Sequence, residues 1–181
     1  MIINSREYRK NGMSYTIRSA HPKDARQLSE LRLQIDGESE HLDREPGEAF
    51  IDGAGFEEII GTDTESRRNL FLVAEVNKRI VGFSRCEGNS LKRFAHKVEF
   101  GVGVKRDYWG YGIGKHLLQE SVSWADATGI HKMTLNVLES NENAIALYTK
   151  LGFEQEGILK HDKILSDGKY HNTIIMARFN L

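Results

Sequence analysis

A single cysteine, Cys86, in 181 residues rules out an internal disulfide, and with it a small secreted scaffold held by bridges. Cys86 lies in the apolar alternation of an expected strand, where it reads as a buried, inert thiol. Charge of one sign is also missing: 25 lysines and arginines face 26 aspartates and glutamates, a net charge of −1 at pH 7. The basic residues are spread along the chain rather than gathered in a run, which argues against a nucleic-acid partner. No apolar run approaches the roughly 20 residues of a membrane helix. The opening MIINSREYRKNG has no apolar segment of the signal-peptide kind, so the expected setting is the cytoplasm, with no membrane partner. The histidines at 21, 41, 96, 116, 131, 161 and 171 show neither HxxxH nor Cys-His spacing, so no metal site is expected. There is no serine nucleophile elbow, and Cys86 has no local catalytic signature, which excludes the usual covalent routes. Repeats and low-complexity tracts are absent. The length suits one domain with a sizeable core.

What is present centres on residues 98–115. Val98, Phe100, Val102 and Val104 recur at period two as a strand, with Gly101 and Gly103 between them. Gly110, Gly112 and Gly114 follow, and then an amphipathic helix with Ile113, Leu117, Leu118, Val122 and Ala125 on one face. A strand, a glycine turn and a helix N-terminus aim backbone N–H groups and the positive end of the helix dipole at one spot, which suits a phosphate or diphosphate. A Walker A loop is excluded, because Trp109 stands where its first glycine belongs and His116 follows Lys115. The dinucleotide fingerprint also fails: the third glycine comes one residue early, and no second mononucleotide-binding half is visible, although Glu139 could imitate its ribose carboxylate.

The glycine turn resembles the acyl-CoA loop of the GNAT N-acetyltransferase superfamily, whose pattern is Gln or Arg, two residues, Gly, one residue, then Gly or Ala. Gly112 and Gly114 fit; Trp109 stands at the Gln/Arg position. The stretch LNVLESNENAIALYTKLGFEQEG resembles the second conserved block of the same family. The resemblance extends over about residues 15–179 and is thinnest between 36 and 68; its second block and closing hairpin are similar to polyamine and ribosomal-protein-type members. It implies acetyl-CoA as cosubstrate, held by Val102, Gly103, Val104, Trp109, Gly110, Tyr111, Gly112, Ile113, Gly114, Lys115, Asn136, Asn141 and Tyr148. It also implies a mixed, mostly antiparallel α/β sheet with helices on both faces and a parallel strand pair around the acyl-CoA loop.

The rest of the chain reads consistently with that fold. Residues 1–12 are polar and unpatterned, and read as a flexible extension, or the product of an early start codon, ahead of a domain at 13–181. Tyr15–Arg18 is a strand. Pro22 suits the first position of a helix that carries Ala25, Leu28, Leu31, Leu33 and Ile35. The acidic segment 36–48 reads either as a solvated loop or, in the family's arrangement, as a wall that concentrates a cationic amine. Phe56–Ile60 belongs to a second helix. Leu70–Val76 and Ile80–Arg85 form a hairpin at Asn77-Lys78. Gly129 ends the long helix, Lys132–Leu138 is a strand, and Asn141 or Asn143 caps a helix that Gly152 ends. Residues 153–165 and 169–179 close the sheet as a hairpin.

Acetyl transfer to an amine needs an unprotonated amine, a stabilised oxyanion and a proton for the departing thiolate. An alkylamine titrates near 10.4, so a base is required at neutral pH; Glu99, on the strand face shared with Gly101 and Gly103, is the candidate. It reads equally as a carboxylate in a structural ion pair. A backbone N–H near Val102–Val104 can meet the oxyanion. Tyr148 matches the tyrosine of the family's second block and is the candidate proton donor; its other reading is a core tyrosine. The expected activity is direct acetyl transfer from acetyl-CoA to a primary amine of a small molecule, polyamine-like, or of a peptide. A catalytically silent acyl-CoA-binding module is the alternative, and exposed sheet edges are compatible with a homodimer.

Overall fold

Apolar alternation, tight turns and one helical crossover build a mixed sheet of eight strands. The computed structural model describes residues 1–180. In chain order the elements are β1 (Arg6–Lys10), β2 (Met13–Ser19), α1 (Ala25–Glu38), α2 (Gly53–Glu65), β3 (Leu70–Val76), β4 (Arg79–Gly88), β5 (Lys97–Val104), α3 (Ile113–Ala127), β6 (Lys132–Leu138), α4 (Glu142–Lys150), β7 (Glu154–Ile164) and β8 (Tyr170–Phe179). The strands lie in the order β1-β2-β3-β4-β5-β6-β8-β7. Of these neighbours β5 and β6 run parallel and the others antiparallel. This is the expected architecture: α3 is long enough to carry the chain back so that β6 runs alongside β5.

The unbroken apolar run of β3 reflects burial on both faces. Leu70, Leu72 and Ala74 join a core under α3 that includes Val98, Phe100, Leu117 and Leu118. Phe71 and Val73 turn the other way, against Leu28, Leu31 and Ile35 of α1 and Phe56 and Ile60 of α2. Leu33, expected on the packed stripe of α1, is 41% exposed; two residues beyond Leu31 is 200° round the helix, off the stripe. Pro22–Asp24 forms a 3-10 turn rather than the first turn of α1. Its Asp24 carboxylate accepts the His21 N–H at 2.8 Å and pairs with Arg18 at 2.7 Å. Asn77 and Lys78 both adopt positive φ, +49° and +63°, which matches the twist of a two-residue hairpin turn.

Residues 1–12, read as a flexible extension, contain a strand. Arg6–Lys10 pairs with Met13–Ile17 at the edge of the sheet. From β1, Arg6 pairs with Glu120 of α3 at 3.2 Å, and the Tyr8 ring stacks on His116 at 4.1 Å between centroids. The Tyr8 hydroxyl donates to Glu120 as well. Polar-tipped residues with apolar stems supply the inward face, so no hydrophobic alternation marks the strand.

Candidate functional site

The parallel pair holds for only three positions, Lys97↔Lys132, Val98↔Met133 and Glu99↔Thr134. Beyond them β5 continues against β4 to Val104 and β6 continues against β8 to Leu138, so the two strands diverge into a wedge. Ladder alternation fixes which backbone groups face it. The Lys105 N–H donates to the Val81 carbonyl at 2.9 Å, so Gly103, Gly101 and Glu99 direct their backbone groups at β4, while Phe100, Val102 and Val104 direct theirs into the wedge. On the other side the Asn180 N–H donates to His131 at 2.8 Å. Met133, Leu135 and Val137 therefore bond β8, and Asn136 faces the wedge. The indole N–H of Trp109 donates to the Val104 carbonyl at 2.7 Å. The N–H groups of Val102 and Val104 and the backbone of Asn136 remain as two facing rows of donors and acceptors.

The glycine turn stands at the open end of this wedge. Gly110 and Gly112 have φ of +85° and +79°, the left-handed region that favours glycine. Gly112 is the N-cap of α3, and the first intrahelical bond runs from the His116 N–H to its carbonyl at 2.9 Å. The N–H groups of Ile113, Gly114 and Lys115 thus have no partner within the helix. A Cβ at Gly110 would meet nothing within 4 Å, and one at Gly114 only a Val104 methyl at 3.8 Å. The fit to an anion-tipped, amide-containing chain such as acyl-CoA is good: anion donors at the helix end, amide partners along the wedge.

The two glycines of β5 differ. A Cβ at Gly103 would press on the Phe83 ring at 3.2 Å, whereas one at Gly101 meets nothing within 4 Å. Gly103 relieves crowding in the α1 core, and Gly101 leaves the strand surface open beside Glu99. Glu99 is exposed and, among the described residues, forms no side-chain hydrogen bond or ion pair. It stands directly opposite Glu87 across the β4–β5 ladder, and Glu87 is held by Arg85 at 2.9 Å. Both carboxylates line a pocket of about 310 Å³ together with Lys97 and Thr134.

Tyr148, on α4, is 9% exposed, with its ring 5.9 Å from that of Phe153. Its hydroxyl has no partner among the described residues. Among the described residues the one fully enclosed side-chain polar atom without a partner is Thr173 Oγ1, so the Tyr148 hydroxyl reaches open space. Burial pushes its pKa up to about 12. Asn141 is the cap of α4, its side-chain oxygen accepting from the Ala144 N–H at 3.3 Å.

A family model described as the acetyltransferase (GNAT) family matches residues 31–153. The chain belongs to the GNAT acetyltransferase family. Acetyl-CoA is the cosubstrate of this family. An uncharacterized N-acetyltransferase of Methanocaldococcus jannaschii is 34% identical over 94 residues, 50% of this chain and 41% of that protein. The spermidine N(1)-acetyltransferase of Escherichia coli is 29% identical over 136 residues, 75% of this chain and 70% of that enzyme. This GNAT chain thus spans about two fifths of the length of the first relative. An acetyltransferase of the GNAT family from Streptococcus pneumoniae superposes with a TM-score of 0.88 at 27% identity, covering 92% of this chain and 99% of that one.

In this GNAT chain the acidic segment is a clasp. Glu38 accepts the Arg106 N–H at 2.6 Å, just ahead of the glycine turn, and Glu40 accepts the Ser166 N–H at 2.7 Å at the tip of the closing hairpin. The Ser166 bonds hold the Glu40 carboxyl below the usual range. Asp43 pairs with Lys163 of β7, and Asp36 with Arg32 at 3.0 Å. Four of its acids therefore bond groups outside the segment, and two of them, Asp36 and Asp43, are paired with a cation, which leaves less free charge to attract an amine than the sequence implied. Trp109, at the family's Gln/Arg position, has its one side-chain donor engaged by Val104 and offers only its exposed ring, over which Arg106 lies at 5.6 Å. Among the described residues no group of three or more metal-ligating side chains comes together. The described helices include none long and apolar enough to cross a membrane. Sequence reasoning missed Lys10, whose ammonium lies beside Gly112; only the pairing of β1 brings it there.

Proposed function

We propose that this chain transfers the acetyl group of acetyl-CoA directly to a primary amine, within a ternary complex of protein and both substrates. The observation that carries this reading is the wedge: pairing stops at Glu99↔Thr134, and the glycine turn stands where β5 ends. Ile113, Gly114 and Lys115 N–H groups hold the diphosphate, and Val102, Val104 and Asn136 align the amide arm. Glu99 takes a proton from the acceptor ammonium, directly or through water. Its freedom from any ion pair and its place in the pocket support the base over the structural carboxylate. A wedge-facing N–H of Val102 or Val104 stabilises the negative charge that develops on the carbonyl oxygen. The Tyr148 hydroxyl, kept neutral by burial, donates a proton to the departing thiolate.

A small cationic acceptor of the polyamine kind is favoured over a peptide. The pocket supports it, because the Glu99 carboxylate opens into it with no ion pair of its own among the described residues. The spermidine-acetylating relative supports it too. A cytoplasmic setting fits the lone, buried cysteine. A homodimer through edge strand β7, where Ile158 and Ile164 are exposed, completes the reading and is tested by light scattering.

The test is thiol release from acetyl-CoA against polyamines, amino acids, aminoglycosides and N-terminal peptides, with CoA binding measured alongside. Release with polyamines, reduced in Glu99→Gln, is the expected result. Release with peptides alone would overturn the acceptor class. CoA binding without release for any amine would favour a silent acyl-CoA-binding module.

A further inference from the structure

Lys10 is a cation without a partner at a place where the fold already concentrates positive charge. It is the last residue of β1, and its stem crosses the glycine turn: Cδ lies 3.2 Å and Nζ 3.6 Å from where a Gly112 Cβ would stand. Among the described residues its ammonium forms no hydrogen bond or ion pair. The position is set by β1 as a whole, because Arg6 and Tyr8 anchor that strand to Glu120 of α3. Nearby, α3 adds Lys115 and His116, and its own dipole has its positive end here. Burial, Lys115 and Lys10 together hold the His116 imidazole below its ordinary pKa, with only Glu120 opposing them. The Nδ1 of His116 is bonded to the Tyr15 hydroxyl at 2.6 Å, so the imidazole is fixed in place. Stability alone favours an acid at a helix N-terminus. Lysines gathered there make sense if an anion completes the site.

We propose that Lys10 is a direct ligand of the CoA diphosphate, so that the N-terminal strand β1 is part of the cosubstrate site. The assignment rests on the reading of the glycine turn as the acyl-CoA loop. The diphosphate lies over the free N–H groups of α3, and Lys10, beside Gly112, adds its ammonium to the same anion. Arginine in its place keeps the charge and the reach; methionine keeps the stem and removes the charge.

The test is calorimetric titration of wild type, Lys10→Met and Lys10→Arg with CoA and with 3′-dephospho-CoA, together with thermal unfolding of each ligand-free protein. Loss of one charge-assisted contact is expected to weaken both ligands about tenfold in Lys10→Met. Lys10→Arg should stay within about threefold of wild type by the same measure of contact strength. Ligand-free Lys10→Met should melt at or above the wild-type temperature, since a repulsive charge has gone. Unchanged CoA affinity in Lys10→Met would overturn the assignment and leave the acyl-CoA loop intact. A loss confined to CoA would move Lys10 to the 3′-phosphate and overturn the diphosphate assignment. A lower melting temperature of ligand-free Lys10→Met would make the role structural. Wild type that fails to bind CoA would overturn the loop reading along with it.

Discussion

Tyr148→Phe separates the hydroxyl proposed as proton donor from the packing of its ring. The residue is 9% exposed, its ring lies against Phe153, and phenylalanine fills the same space. Among the described residues the hydroxyl has no partner to lose, so stability near neutral pH should change by less than about 0.5 kcal/mol. Turnover should fall by about 10²- to 10⁴-fold, the usual contribution of a positioned general acid, while the CoA dissociation constant stays put. Alkaline behaviour gives a second readout. Burial raises the folded-state pKa to about 12 from the ordinary 10.0, so ionisation is easier in the unfolded chain. Its contribution to stability is complete below pH 10 and is lost as pH rises to about 12, by at most about 3 kcal/mol. Tyr148→Phe should therefore resist alkaline unfolding better than wild type. Thiol release from pH 6 to 10, calorimetry with CoA, and urea unfolding at neutral and alkaline pH measure all three. Turnover of Tyr148→Phe within about threefold of wild type would refute the donor role, whatever the stability data show.

Gly112→Ala places a Cβ 3.2 Å from Lys10 Cδ on a backbone with φ of +79°; a loss of about 1–2 kcal/mol in urea unfolding, with weakened CoA binding, is expected. Asp63 is 1% exposed and holds both Arg85, at 2.6 Å, and Asn69, at 2.7 Å. Asp63→Ala should cost about 2–3 kcal/mol, discounted from a fully buried pair because Arg85 is partly open to water; a loss below about 0.5 kcal/mol would contradict that. Cys86 is 0% exposed, and burial pushes its thiol up to about 12. An aromatic disulfide reagent should label it only after denaturation; rapid labelling of the folded protein would show that β4 opens locally.

Much of the sheet was legible because its residues carry a period. Val98 to Val104 alternates, the Asn77-Lys78 turn has a known geometry, and glycines sit where the backbone needs positive φ. The parallel crossover followed from the length of α3. What could not be read was carried by polar side chains. Arg6, Tyr8 and Lys10 form one face of β1, but their charged or hydroxylated tips conceal it from any hydrophobic pattern. The acidic segment read as open charge, whereas Glu38, Glu40 and Asp43 bond groups 68, 126 and 120 residues away. No local spacing encodes such contacts. For Glu99 the sequence left base and ion pair level, and only the surroundings, with no cation bound to it and Glu87 opposite, tilt the balance.

The short seam between β5 and β6 also gives the molecule a line of mechanical weakness. On one side lie five strands, β1 to β5, and on the other three, β6, β8 and β7, whose shared ladder has three residue pairs. In the proposed complex a chain of amides lying in the wedge would act as a ninth strand that stitches the two halves together. Hydrogen exchange at amides along both edges should slow together when CoA binds, and the protein should withstand a greater force across the seam when it is loaded.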